Sequence, residues 1–138
     1  MKEFLILFVG VACAFLPAMA QQDSKLSAAY TEAELSDLSE NDPNKLAYLE
    51  FKANECYQVQ DLSGKKDISD LPNVSTLNDL AKNTNAQMID VSGFDKNQFN
   101  PLLYNIDTKV QPAYYRIGDS GVLLKIYTEK RCLELFKK

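Results

Sequence analysis

The chain has no histidine. Without an imidazole base, neither a Ser–His–Asp nor a Cys–His nucleophile system can be assembled, and zinc sites built on histidine are excluded with it. Cysteine is scarce: there are three, none spaced Cys-x-x-Cys. A thioredoxin-like exchange motif is therefore missing, and a tetrathiolate site lacks its ligands. No GxGxxG or GxxxxGK[ST] run occurs, so nucleotide phosphates have no recognisable cradle. The basic residues cluster no further than adjacent pairs, such as Lys65-Lys66 and Lys137-Lys138. That leaves no electrostatic footprint for nucleic acid or for an anionic membrane surface.

The longest apolar stretch, residues 4–16, opens the chain. It follows Lys2 and ends in Pro17-Ala18-Met19-Ala20. A positive start, a short apolar core and small residues two apart describe a secretory signal over residues 1–20, cut after Ala20. As a membrane anchor the stretch falls short of the ~20 residues needed to span the hydrocarbon core. Lipidation at Cys13 is disfavoured, because Ala14-Phe15-Leu16 follows where a lipoprotein turns polar. The expected product is an exported chain, periplasmic or secreted, with no membrane span after processing.

Removing Lys2 and Glu3 leaves 14 basic and 18 acidic residues, so the net charge stays at −4. The remaining stretch of roughly 118 residues suffices for one hydrophobic core and not for two. We expect a flexible leader over residues 21–30 and a single α+β domain over residues 31–138. Export also leaves two cysteines, Cys56 and Cys132. An even count in an oxidising compartment predicts one bridge. Closing the intervening loop of about 77 residues contributes about 4 kcal/mol in the chain-entropy model.

Local signals order the elements. Thr31 and Glu34 stand in capping-box spacing and start a first short helix. Asp42-Pro43 starts a second, with Leu46, Leu49, Ala53, Cys56 and Tyr57 on one stripe. Alternation over residues 57–62 predicts a strand. Ser75 is placed as the cap of a short helix through Lys82, with Leu77, Leu80 and Ala81 inward. Residues 87–91 and 99–106 read as strands, the latter confined to an edge by Pro101. Residues 114–117 and 122–127 flank Gly118-Asp119-Ser120-Gly121, a β-hairpin signal. Thr128 caps a closing helix bearing Cys132, Leu133 and Phe136. Helices first, a small mainly antiparallel sheet after them and a last helix make the class α+β.

Three chemistries remain to be weighed. Carboxylates are numerous enough for a hydrolase acting on envelope polymers, but no pair is singled out by spacing. Asp37-x-Ser39-x-Asn41 imitates half a calcium loop, yet lacks the glycine and the bidentate glutamate that complete one. A small-ligand or lipid carrier would need the sheet and helices to enclose an apolar cavity. Asn73-Val74-Ser75 is a glycosylation sequon, relevant only in a eukaryotic source.

The aromatics point elsewhere. The chain has seven tyrosines and no tryptophan, and Tyr104, Tyr114, Tyr115 and Tyr127 fall in or near the expected sheet. Tyrosine and arginine are favoured at binding surfaces. The outward side of the hairpin, with Tyr114, Arg116, Leu123, Lys125 and Tyr127, is therefore the candidate binding face. The function expected is a non-enzymatic interaction or accessory domain without cofactor or metal, its partner another envelope or extracellular protein.

Overall fold

The computed structural model describes residues 25–82, 86 and 88–138. The signal-peptide reading of residues 1–20 lies outside them, as does the leader up to residue 24.

After a first helical turn over residues 25–29, two helices follow because two caps are in place. Thr31 Oγ1 accepts from the Glu34 amide at 3.2 Å, and the Glu34 carboxylate accepts from the Thr31 amide at 3.2 Å. This reciprocal pair starts α1, Glu32–Asn41. Asp42 then serves both neighbours: its N–H donates to Leu38 O at 2.8 Å, and its carboxylate accepts from Lys45 N at 3.1 Å. With Pro43 in the first turn, α2 runs over Pro43–Glu55 and buries Leu49 and Ala53. Asp37 and Asn41, from the imitated calcium loop, lie one turn apart on α1 and bond to each other at 2.6 Å.

The three strands are β1 (Tyr57–Asp61), β2 (Ala113–Arg116) and β3 (Val122–Ile126). Their order is β1-β3-β2, antiparallel throughout, so the hairpin's second strand is central. Ile117 N donates to Val122 O at 2.9 Å and closes the hairpin. Gly118 and Gly121 sit at φ +60° and +78°, a region that side-chain-bearing residues avoid. Thr128 Oγ1 accepts from Arg131 N at 3.1 Å and starts α3, Glu129–Lys137. The architecture is α+β, with a small antiparallel sheet and a closing helix.

Pairing of β1 with β3 also delivers the disulfide. The ladder extends one residue past the strands, where Tyr127 N donates to Cys56 O at 3.1 Å. One turn into α3, Cys132 comes back over that pair. Cys56 and Cys132 are both buried and bridged, with Cα atoms 5.4 Å apart.

The inner face of the sheet supplies Ile117, Leu124 and Ile126 to the main core, where Val74, Leu77, Phe99, Leu103 and Tyr104 meet them. A second cluster joins Leu26, Leu49, Ala53 and Leu102. Leu26 shows where the leader reading departs from the structure. Residues 25–29 are helical, and Leu26 is only 1% exposed. Its apolar side chain has a slot against α2, which local sequence pattern does not reveal.

The middle of the chain differs from expectation in kind. Residues 99–106 form no strand among the described residues. Asn100 accepts from Leu102 N at 3.1 Å, and Pro101 opens a 3₁₀ turn, Pro101–Leu103. Only Tyr104 keeps a bridge, to Ala81. Burial there does not alternate: residues 99–104 are buried without a break, and a cap and a proline coil the backbone. Of residues 87–91, Gln87 lies outside the described residues. Ile89 is held by a side chain and not by a strand: its N–H donates to Asn78 Oδ1 at 2.7 Å. Asp90 then caps a 3₁₀ turn, Val91–Gly93. The expected helix from Ser75 is a 3₁₀ helix, Val74–Leu80, which buries Val74 and Leu77 but leaves Leu80 exposed.

Candidate functional site

Strand register decides which side chains share the outer face. Tyr114 lies directly across from Lys125, and Lys125 from Gln58 on the other side. The Lys125 ammonium sits 5.9 Å from the Tyr114 ring centre and 5.6 Å from that of Tyr127. Both are within cation–π range. The Tyr127 hydroxyl and Gln58 Oε1 are 3.4 Å apart. Tyr114 is 39% exposed. Tyr114, Lys125 and Tyr127 thus form one row across β2 and β3, with Gln58 extending it onto β1.

The other two members of the expected face are placed differently. Leu123 is only 8% exposed; on the central strand it is flanked on the same face by its register partners Gln60 and Arg116. Arg116 is tied down. Its Nε donates to Leu71 O at 3.0 Å, its Nη1 to Gly118 O at 3.2 Å, and Asp119 lies 3.6 Å away. This guanidinium fastens the hairpin to residues 71–73, so it supports the face more than it presents to solvent. Tyr104 belongs to the core, stacked on Phe99 with centroids 6.0 Å apart.

A second constellation was invisible in the sequence. The Lys25 ammonium donates to Ala53 O at 3.0 Å and to Phe99 O at 2.9 Å, and lies 3.3 Å from the Tyr57 hydroxyl. The Tyr57 hydroxyl in turn donates to Lys96 O. Burial lowers the Lys25 ammonium from its usual range, while Glu55 and Asp95 oppose that shift. Burial likewise pushes the Tyr57 phenol up to about 12, with Glu55 and Asp95 adding to it. All three ammonium protons have acceptors, which holds the side chain in place. The cluster is a clamp between the N-terminal turn, the end of α2 and residues 96–99.

A cleft of about 520 Å³ borders this cluster, and another of about 500 Å³ lies elsewhere on the surface. The first is lined by Lys25, Phe94, Phe99 and Tyr104 with Asp90 and Asp95; the second by Lys52, Lys82 and Lys109 with Asp107 and Glu129. All four acids are exposed. Asp90, Asp95 and Asp107 spend a carboxylate oxygen on a backbone amide two residues ahead. Among the described residues, no three His, Cys, Asp or Glu side chains converge to hold a metal ion. No helix among them is long and apolar enough to cross a membrane.

The sequon is woven into the fold: Asn73 Oδ1 accepts from Gly118 N at 3.2 Å, and Val74 is fully buried. Compared with known proteins, the chain matches no family model, no curated protein and no solved structure.

Proposed function

We propose that this chain is exported and acts outside the cytoplasm as a non-enzymatic interaction module, binding another envelope or extracellular protein through the outer face of its sheet. The observation that carries the reading is the row Tyr114–Lys125–Tyr127, in which one ammonium is held between two rings on a solvent-facing surface. Two aromatics with polar tips, positioned on rigid strands, offer contact area at low entropic cost. The bridged cysteines fit an oxidising compartment. A hydrolase reading would need a pair of facing acids with one largely buried, whereas the cleft acids are exposed and mostly committed to turns. A carrier reading would need an enclosed apolar cavity, and both clefts have mixed linings.

The test places a photo-crosslinking side chain at Tyr114 and, as a control, at Val110, which is 90% exposed and outside the sheet. Irradiation in the native compartment is expected to trap one protein from position 114 and not from 110. Equal trapping from both positions, or none from either, would contradict the reading.

A further inference from the structure

The free edge of β1 leads beyond that face. The ladder shows which way each β1 residue points its backbone. Leu62 N donates to Gly121 O and Tyr127 N to Cys56 O, at 3.0 and 3.1 Å. Antiparallel pairs alternate between hydrogen-bonded and non-hydrogen-bonded, so Gln58 and Gln60 also bond toward β3. Tyr57, Val59 and Asp61 therefore aim their N–H and C=O groups away from the sheet. Among the described residues, these outward groups have no hydrogen-bond partner.

The opposite edge is covered at its Arg116 end. On β2 the outward Arg116 N–H donates to Pro72 O at 2.9 Å, and Asn73 forms a parallel bridge with Arg116. Proteins usually blunt an open edge with proline, lysine or a bulge. The strand Tyr57-Gln58-Val59-Gln60-Asp61 has no proline or lysine and pairs with β3 residue for residue without a bulge.

Three outward N–H and C=O sets spaced two residues apart fit one kind of occupant, an extended polypeptide strand. The side chains select which. Laid antiparallel on itself about Val59, the strand sets Val59 against Val59 and Tyr57 against Asp61, giving six backbone hydrogen bonds. On the outer face Gln58 then meets Gln60, and carboxamides are mutual donors and acceptors. The two Asp61 carboxylates fall four residues apart, roughly 13 Å along the strand, beyond the range of strong repulsion at physiological salt. No like charges are opposed at any position.

We infer that β1 pairs edge to edge with β1 of a second copy, making a two-fold dimer with one continuous six-stranded sheet. Its strand order is β2-β3-β1-β1-β3-β2, and both tyrosine–lysine rows lie on the same side of it.

The experiment is sedimentation of the purified, disulfide-intact protein over a concentration series, with amide exchange read at each concentration. A dimer is expected, and exchange at Tyr57, Val59 and Asp61 slows as it forms. The double substitution Gln58→Glu with Gln60→Glu opposes like charges across the two-fold and raises the dimer Kd at least tenfold. Gln58→Glu with Gln60→Lys opposes unlike charges and restores it. Both pairs are exposed side chains, so the fold is checked by circular dichroism, and the wild-type exchange data stand without them. A monomer throughout, a dimer indifferent to the double-glutamate change, or a Val59 amide whose exchange ignores concentration overturns the inference. So does binding of a foreign peptide to β1 in a chain that never self-associates.

Discussion

Lys25 and Tyr57 are joined through one hydrogen-bond cluster yet respond to alkali in opposite senses. A phenol raised in the folded state contributes stability that is fully present below its unfolded value near 10 and lost as pH climbs through the folded value. Tyr57, at about 12, defines that window as roughly pH 10 to 12. Burial also raises Tyr30, Tyr48, Tyr104 and Tyr115, which lose their contribution in the same direction. Lys25 is lowered by burial, so the unfolded chain binds more protons just below 10.5 and stability from this group rises with pH there. Above about 10.5 the lysine has released its proton in both states, so the raised phenols alone set the slope and stability falls. Chemical denaturation between pH 9 and 12 is expected to show stability falling above about pH 10.5, with Tyr57→Phe flattening the fall. A stability that holds level or rises across that window contradicts the burial of these rings. Sequence alone had no means of marking Lys25. Its acceptors, Ala53 O and Phe99 O, are backbone atoms 28 and 74 residues away, and any lysine in a polar leader looks the same.

Elements with local causes were legible; elements set by distant partners were not. The caps at Thr31, Asp42 and Thr128 name the starts of α1, α2 and α3 because each is completed within three residues. The hairpin is readable for the same reason, since its glycines answer a local backbone demand. Residues 99–106 mislead because residues 99–104 are buried in unbroken succession, with Leu102 in one cluster and Leu103 and Tyr104 in the other, while Asn100 and Pro101 coil the chain. The N-terminal turn is the strongest case. A prediction follows: Leu26→Ala is expected to cost about 2–4 kcal/mol in urea unfolding, as for other fully buried leucines. A change below about 0.5 kcal/mol, the range of surface sites, would return residues 25–29 to the status of a loose leader. The candidate face was half legible. Period-two alternation correctly sets Tyr114, Lys125 and Tyr127 on one side, but burial of Leu123 depends on β3 being central, and that follows from pairing with a strand more than 60 residues earlier.

At the scale of the whole molecule, the bridge between Cys56 and Cys132 links residues 76 apart. It joins the helical first half to the closing helix around a three-stranded sheet, which is a small unit to stand without help. Replacing both cysteines by serine is expected to cost about 4 kcal/mol and to lower the thermal midpoint by more than 10 °C in a domain of this size. An unchanged midpoint would show that packing alone sets stability.

The proposed binding to a partner protein rests on the row of Tyr114, Lys125 and Tyr127. The decisive measurement is the affinity of the protein trapped from position 114 for the wild type and for Tyr114→Ala, Lys125→Ala and Tyr127→Ala, with Val110→Ala as the control. At least two of the three face variants are expected to weaken binding tenfold or more, which is about 1.4 kcal/mol each. Val110→Ala should leave it unchanged. If all three face variants bind as tightly as the wild type, the outer face of the sheet is not the interaction surface.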